Sequence, residues 1–265
     1  MKLRILAILP ILLLSSCDIV DGYNYADEGY QKYSGEVTDF TDIENINVDW
    51  LNGSVSIGQN YDNIVSFYEN DSDYPLYYKV DGKELNIKVV KSGMTSRHLK
   101  KLDKSLYLSL PAFTNKLTVS TVDTSIQMYG NVEVESGSFN TVNGYFSAEK
   151  YCAKSTKINS VETSYYFTYM KCPNSELIKS TPDDEPSDAP VYLKHEVDID
   201  AVSASIQIGV DKINGYKVNC SGVKWDFQGL NGGKKNYGDE LLEIDFDGVS
   251  SSLSLFTNYY DYYQY

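Results

Sequence analysis

A degenerate repeat of about twenty residues constrains this chain more than any other feature. Seven segments share one phase: Leu51–Ile57, Val122–Met128, Val142–Ala148, Val161–Phe167, Val202–Ile208, Ser221–Phe227 and Val249–Leu255. Number the first residue of each segment zero. Positions −5, −3, 0, +4 and +6 are then apolar in 32 of 35 cases, where the chain's 42% apolar content would give about 15. The exceptions are Gly137, Thr156 and Ser221. Residues two apart share one face of a strand, so −5 and −3 line one strand and +4 and +6 another. The odd step from −3 to zero means that the chain turns between them, at a corner carrying Gly, Ser or Asn. The zeros are spaced 142 − 122 = 20, 161 − 142 = 19 and 221 − 202 = 19, and 202 − 161 = 41 fits two turns with a few extra residues. An all-β parallel solenoid follows, in coils of about 20 residues, each laid on its predecessor ~4.8 Å away.

Between residues 57 and 117 the period breaks. Asp81-Gly82 between apolar runs is a hairpin signal, and Leu106, Leu108 and Leu110 alternate as a strand ended by Pro111. This region, 58–116, is expected to form an N-terminal hairpin cap on a domain spanning 42–255. Residues 181–190 are acidic with three prolines and read as an extruded loop, after a strand at Glu176–Ser180. The Tyr-rich tail, 256–265, is expected to cover the open end of the last coil, because bare sheet ends invite association.

The amino terminus reads as an export signal. Lys2 and Arg4 precede an apolar run, Ile5–Leu14, too short to span a ~30 Å hydrocarbon layer. It ends in Leu14-Ser15-Ser16-Cys17, which resembles a bacterial lipobox. The resemblance implies a signal peptide at 1–16 and a lipidated Cys17 that holds the protein to a membrane of the bacterial envelope, most simply the outer membrane or cell surface, while residues 17–41, rich in Asp, Gly and Tyr with no sustained period, read as a tether. The bland alternative is an ordinary cleavage site before an unmodified cysteine.

Charge narrows the partners. Net charge is −14 and the only arginines are Arg4 and Arg97, which excludes nucleic acid. The one basic cluster, Lys91, Arg97, Lys100, Lys101 and Lys104, reads as a solvated loop. Two histidines, His98 and His195, leave little for zinc or imidazole catalysis. No nucleophile elbow, zinc-protease helix motif or phosphate loop is present. No catalytic, cofactor or metal-ligating residue is assigned.

Position −2 is polar in all seven segments: Asp49, Ser120, Asn140, Asn159, Asp200, Asn219 and Asp247. Asn and Asp are poor strand formers, so a file of them invites a reason. Asp198, Asp200, Asn219, Asp245 and Asp247 form the candidate ligand ladder, able to bond sugar hydroxyls or to offer oxygens to Ca²⁺; the alternative is a solvated face. Tyr165, at +4, is expected inside, whereas clustered tyrosines elsewhere could stack on a glycan or protein at the cell surface. Cys152 and Cys172 are 20 apart, one coil, which makes them a candidate disulfide; the alternative is two small buried side chains. Cys220 is left over.

The repeated corner pattern, the Leu108-Ser109-Leu110-Pro111 strand and the lipoprotein start resemble the putative adhesin family of bacterial envelope proteins, relatives of the head domain of putative autotransporter adhesins. The resemblance covers about residues 43–255. It implies a right-handed β-solenoid and an adhesin-like or scaffold role without chemistry. Two other roles remain open: a calcium-dependent polysaccharide-cleaving enzyme using Arg97, and a purely structural envelope protein.

Overall fold

The computed structural model describes residues 28–70, 75–89, 104–171, 193–210 and 215–257. The alternating, β-branched and aromatic runs of the repeat become strands, and the described strands join one mixed sheet. In chain order they are β1 (Gln31–Lys32), β2 (Thr38–Thr41), β3 (Asn45–Gln59), β4 (Ile64–Glu69), β5 (Tyr77–Asp81), β6 (Glu84–Lys88), β7 (Ser105–Leu110), β8 (Lys116–Glu133), β9 (Ser136–Cys152), β10 (Ser155–Lys171), β11 (His195–Val202), β12 (Ser205–Val210), β13 (Tyr216–Val223), β14 (Asp226–Gln228), β15 (Asn236–Tyr237), β16 (Leu242–Val249) and β17 (Ser252–Thr257). A single helical turn, α1 (Leu230–Gly233), lies between β14 and β15.

Strands β8, β9 and β10 pair in parallel along three runs each. Lys116 faces Ser136 and Ser136 faces Ser155, offsets of 20 and 19 residues. Each pass through the sheet, or tier, thus contributes three walls: in β8 these are Lys116–Thr121, Asp123–Met128 and Asn131–Glu133. Position −1, not zero, continues the inward face of the first wall: Trp50, Thr121, Thr141, Ser160 and Ala201 are buried. Val122, Val142 and Val161 lie half-buried at the corner, between registered neighbours on both sides. The inward face resumes at +2, +4 and +6, so the parity switch falls at the corner as its spacing requires. Backbone crowding there is severe: a Cβ on Gly144, at φ +138°, would lie 2.1 Å from the Thr124 carbonyl oxygen.

The core is a set of files across tiers. Ile126, Phe146, Tyr165, Ile206 and Leu253 form one, all essentially sealed from water. Burying a side chain of this size contributes ~1.5–3 kcal/mol. Two exceptions in the repeat now have a cause. Tyr151, from the third wall, fills the space beside Gly137, where a Cβ would come 1.9 Å from its hydroxyl, and that hydroxyl sits 3.2 Å from Thr156 Oγ1. The third exception, Ser221, is a phase error. Val218 pairs with Ile244, Cys220 with Phe246 and Val223 with Val249, so Val223 is the corner residue of its tier.

The order of tiers departs from chain order at both ends. β11 lies next to β16, and β16 next to β13. The last tier, β16–β17, is therefore inserted between β11–β12 and β13–β14. At the other end β3 lies between β8 and the β6–β7 tier. The expectation that each coil rests on its predecessor is corrected there, and the end near the carboxyl terminus is formed by β13–β14. Antiparallel strands β5 and β4 pair with β6 and β7 at the opposite end, with the expected turn at Asp81–Lys83.

Candidate functional site

Rows of outward residues run across the parallel tiers on the first and second walls. On the first wall, β3, β8, β9, β10, β11 and β16 contribute three each. The row at −2 reads Asp49, Ser120, Asn140, Asn159, Asp200, Asp247, in register throughout. Ser221 of β13 ends it; Asn219 falls one row away, beside Asp245 and Asp198. All five members of the candidate ladder are thus brought onto three adjacent strands. Asn219 Nδ2 donates to Asp245 Oδ1 at 2.8 Å, Asn159 Nδ2 to Asn140 Oδ1 at 2.6 Å, and Asn140 Nδ2 to Ser120 Oγ at 3.2 Å. Side-chain amides therefore tie neighbouring tiers along the row. The row is not a solvated face throughout, since Asn159 is 7% and Asp200 4% exposed.

Of the 18 outward positions on these six strands, nine are charged: Asp49, Lys116, Lys157, Glu196, Asp198, Asp200, Glu243, Asp245 and Asp247. Lys217 Nζ sits 3.0 Å from Glu243 Oε1, Lys194 pairs with the other oxygen of Glu243, and Lys157 reaches to 4.0 Å from Asp198. Glu196, Asp198, Glu243 and Asp245, with Lys157, line one open cavity of about 510 Å³. Among the described residues no group of three or more His, Cys, Asp or Glu converges as a metal site. Burial pushes Asp49 up to about 6, while the neighbouring Lys88 ammonium works against that rise.

The second wall is different in chemistry. Its row at +3 reads Ser54, Ser125, Tyr145, Ser164, Ser205, Ser252, and its row at +5 reads Ser56, Gln127, Ser147, Tyr166, Gln207, Ser254. None of these twelve is charged, whereas the chain's 23% charged content would place about three there; charges on this wall stand instead at Asp123 and Glu162 in its row at +1, and at Asp226 of β14 beside Ser252. Hydroxyls bond along the row, Ser54 to Ser105 at 2.8 Å and Ser252 to Ser205 at 3.4 Å. Tyr145 stands 43% exposed in the serine row. Tyr166 stacks on Phe256, with ring centroids 5.6 Å apart and planes 13° from parallel. Gly209 leaves the room for this pair: a Cβ there would meet the Phe256 ring at 3.1 Å and the Thr168 carbonyl at 1.9 Å. Sequence reasoning missed this wall, although Ser-x-Ser and Ser-x-Gln at +3 and +5 were visible in four of the six tiers.

Ionisable groups also lie inside, His195 and Lys104 among them. His195 opens β11 wholly buried; its Nδ1 lies 3.2 Å from the Lys171 carbonyl and its Nε2 2.8 Å from Thr156 Oγ1. A carbonyl only accepts, so Nδ1 carries the proton and Nε2 accepts from the threonine. Burial lowers the histidine to about 4, against the pull of the Lys171 carbonyl. Lys104 departs from the expectation of a solvated basic cluster, whose other members, Lys91, Arg97, Lys100 and Lys101, lie outside the described residues. It is fully buried, ion-paired with Glu69, and 5.6 Å from the Trp50 ring. Antiparallel pairing of Glu69 with Leu106 brings the two charges together. Tyr165 is buried as expected, with its hydroxyl 2.6 Å from Thr141 Oγ1.

Cys152 is buried at the end of β9, in register with Glu133 and Lys171. Cys172 lies outside the described residues, as do Cys17, Arg97, His98, the 181–190 loop and the last eight residues of the tail. Among the described residues no helix is long and apolar enough to cross a membrane.

No protein-family model matches the chain, and no curated protein matches it. Solved structures similar to it include a putative cell adhesion protein from Clostridium sporogenes, at 14% identity and a TM-score of 0.40, covering 83% of this chain and 97% of that one. A putative adhesin from Bacteroides fragilis superposes with a TM-score of 0.43 at 11% identity, covering 83% and 96%. One from Parabacteroides distasonis gives 0.35 at 11%, covering 83% and 98%.

Proposed function

We propose that this chain is a non-catalytic binding protein of the bacterial cell envelope, adhesin-like in role, exported and held to its membrane by lipid on Cys17. In this reading the tiers wind as a right-handed parallel β-solenoid of about 20 residues per coil, and the ligand is a polymer, glycan or protein, at the cell surface. The observation that carries it is the register itself. Outward side chains repeat across six tiers in straight rows, tied to one another by hydrogen bonds such as Asn159 to Asn140 and Ser54 to Ser105. Rows held this way lose little freedom on binding an extended partner. The lipobox-like Leu14–Cys17 supports the anchor.

Sedimentation of the intact protein, purified in detergent, with washed bacterial envelopes tests the binding. Saturable cosedimentation is expected. Absence of saturable binding, or release of reducing ends from an added polysaccharide, overturns the reading. Incorporation of labelled palmitate that disappears in Cys17→Ala tests the anchor.

A further inference from the structure

We propose that the serine and glutamine rows of the second wall, at +3 and +5, are the ligand-binding face and that its ligand is a neutral polysaccharide chain lying across the tiers. The inference rests on the binding role proposed above and names its face and ligand class.

Three observations converge. First, the two walls differ in charge: half of the first wall's outward positions are charged, mostly acidic, whereas on the second wall's rows across the same six tiers the charges are confined to Asp123 and Glu162 at +1 and none stands at +3 or +5. A protein of net charge −14 repels acidic polymers at long range, and a cationic polymer would settle on the carboxylate wall. Second, the polar groups of these two rows are hydroxyls and amides, each able both to donate and to accept. That repertoire matches sugar hydroxyls, and the groups repeat at the ~4.8 Å strand spacing along the direction a polymer would run. Third, flat apolar surface is interleaved with them. Tyr145 breaks the serine row with an exposed ring, and Tyr166 and Phe256 lie stacked over Gly209. Tyr145 and Tyr166 sit on adjacent strands one row apart, so strand spacing and a two-residue rise put them ~8 Å from each other. Aromatic rings of this kind cover the C–H faces of sugars while their hydroxyls stay wet. A further stacked pair, Tyr68 on β4 and Tyr107 on β7, extends the +5 row beyond Ser56; rings spaced along the wall in this way suit a chain ligand, where a protein partner would call for one larger apolar centre.

Gel electrophoresis through soluble neutral polysaccharides (mixed-linkage β-glucan, xyloglucan, galactomannan and starch) and through polygalacturonate tests this on the intact protein. At least one neutral polymer should retard it, and polygalacturonate should not. Tyr145→Ser installs the residue that other tiers carry in that row, and should weaken retardation at least tenfold. Tyr145→Phe keeps the ring and should stay within about threefold of the wild type. Tyr61→Ser, a fully exposed tyrosine off this wall, should change nothing. Retardation by no neutral polymer, or an affinity unmoved by Tyr145→Ser, overturns the inference. If the protein still cosediments saturably with envelopes in that case, and protease treatment of the envelopes abolishes it, the ligand is a protein and the broader binding role stands. Loss of cosedimentation as well overturns both.

Discussion

His195 is buried uncharged, and acid should reveal it. In the unfolded chain the imidazole takes up a proton near pH 6.5; in the folded protein it does so only near 4, because no water reaches it and both ring nitrogens are engaged. The folded state thus keeps its full stability above the unfolded value and loses it as pH falls toward the folded one. Between pH 7 and 4.5 that difference in proton binding amounts to about 2.5 kcal/mol. Glutamine at this position can still donate to the Lys171 carbonyl and accept from Thr156, but it does not titrate. Urea titrations of wild type and His195→Gln, followed by the fluorescence of buried Trp50, supply the two stabilities at each pH. Every other titrating group is common to both proteins and cancels in the difference. The wild type should lose about 2.5 kcal/mol more than the variant on going from pH 7 to 4.5. Parallel pH profiles, separated by a constant offset, would refute the claim that His195 is sealed in the core beside Thr156.

Asp49 should behave with the opposite sign. Its folded value near 6 stands above the unfolded 3.8, so it favours the folded state at low pH and that contribution is lost as pH rises through 6; relative to Asp49→Asn, the wild type should gain about 2 kcal/mol between pH 7 and 4.5 in the same urea assay. Gly144→Ala places a Cβ 2.1 Å from the Thr124 carbonyl at a backbone angle that L-residues avoid, and should cost about 3 kcal/mol by thermal or urea unfolding. Lys104→Met strands the Glu69 carboxylate in the interior and should cost about 3–5 kcal/mol, whereas Lys104→Met combined with Glu69→Gln, which can still accept from the Leu76 amide, should recover much of that loss.

The inward rows were readable from sequence because a buried strand face demands apolar residues at every second position. Leu117, Val119, Ile126 and Met128 announce theirs without ambiguity. Stacking order was not readable. Every tier presents the same inward pattern, so hydrophobicity says which residues face in and not which tier lies beside which; β16 fits against β11 as well as β13 would. The misphased Ser221 segment has a related cause. A slip of two residues preserves every face, and Tyr216, Val218, Cys220, Val223 and Phe227 satisfy either phase. Lys104 was read as solvated because its partner, Glu69, is 35 residues upstream and meets it only through the antiparallel β4–β7 pair. The carboxylate ladder was found because Asp and Asn are conspicuous in strands. The serine wall went unread because serine between apolar residues looks like any solvated face until the register lines six tiers up.

Cysteine pairs read the tier order directly. Glu196 and Glu243 are in-register partners on neighbouring strands, and Lys217 lies one strand further on. Paired parallel positions are ~4.8 Å apart, inside the range a disulfide spans, and two strands' separation is about twice that. Mild oxidation of Glu196→Cys/Glu243→Cys, with the linkage mapped by mass spectrometry, should give a near-quantitative crosslink, and Glu196→Cys/Lys217→Cys should give none. The reverse result, a bond between 196 and 217 but not between 196 and 243, would mean that the tiers follow chain order and that the rows on both walls are misaligned.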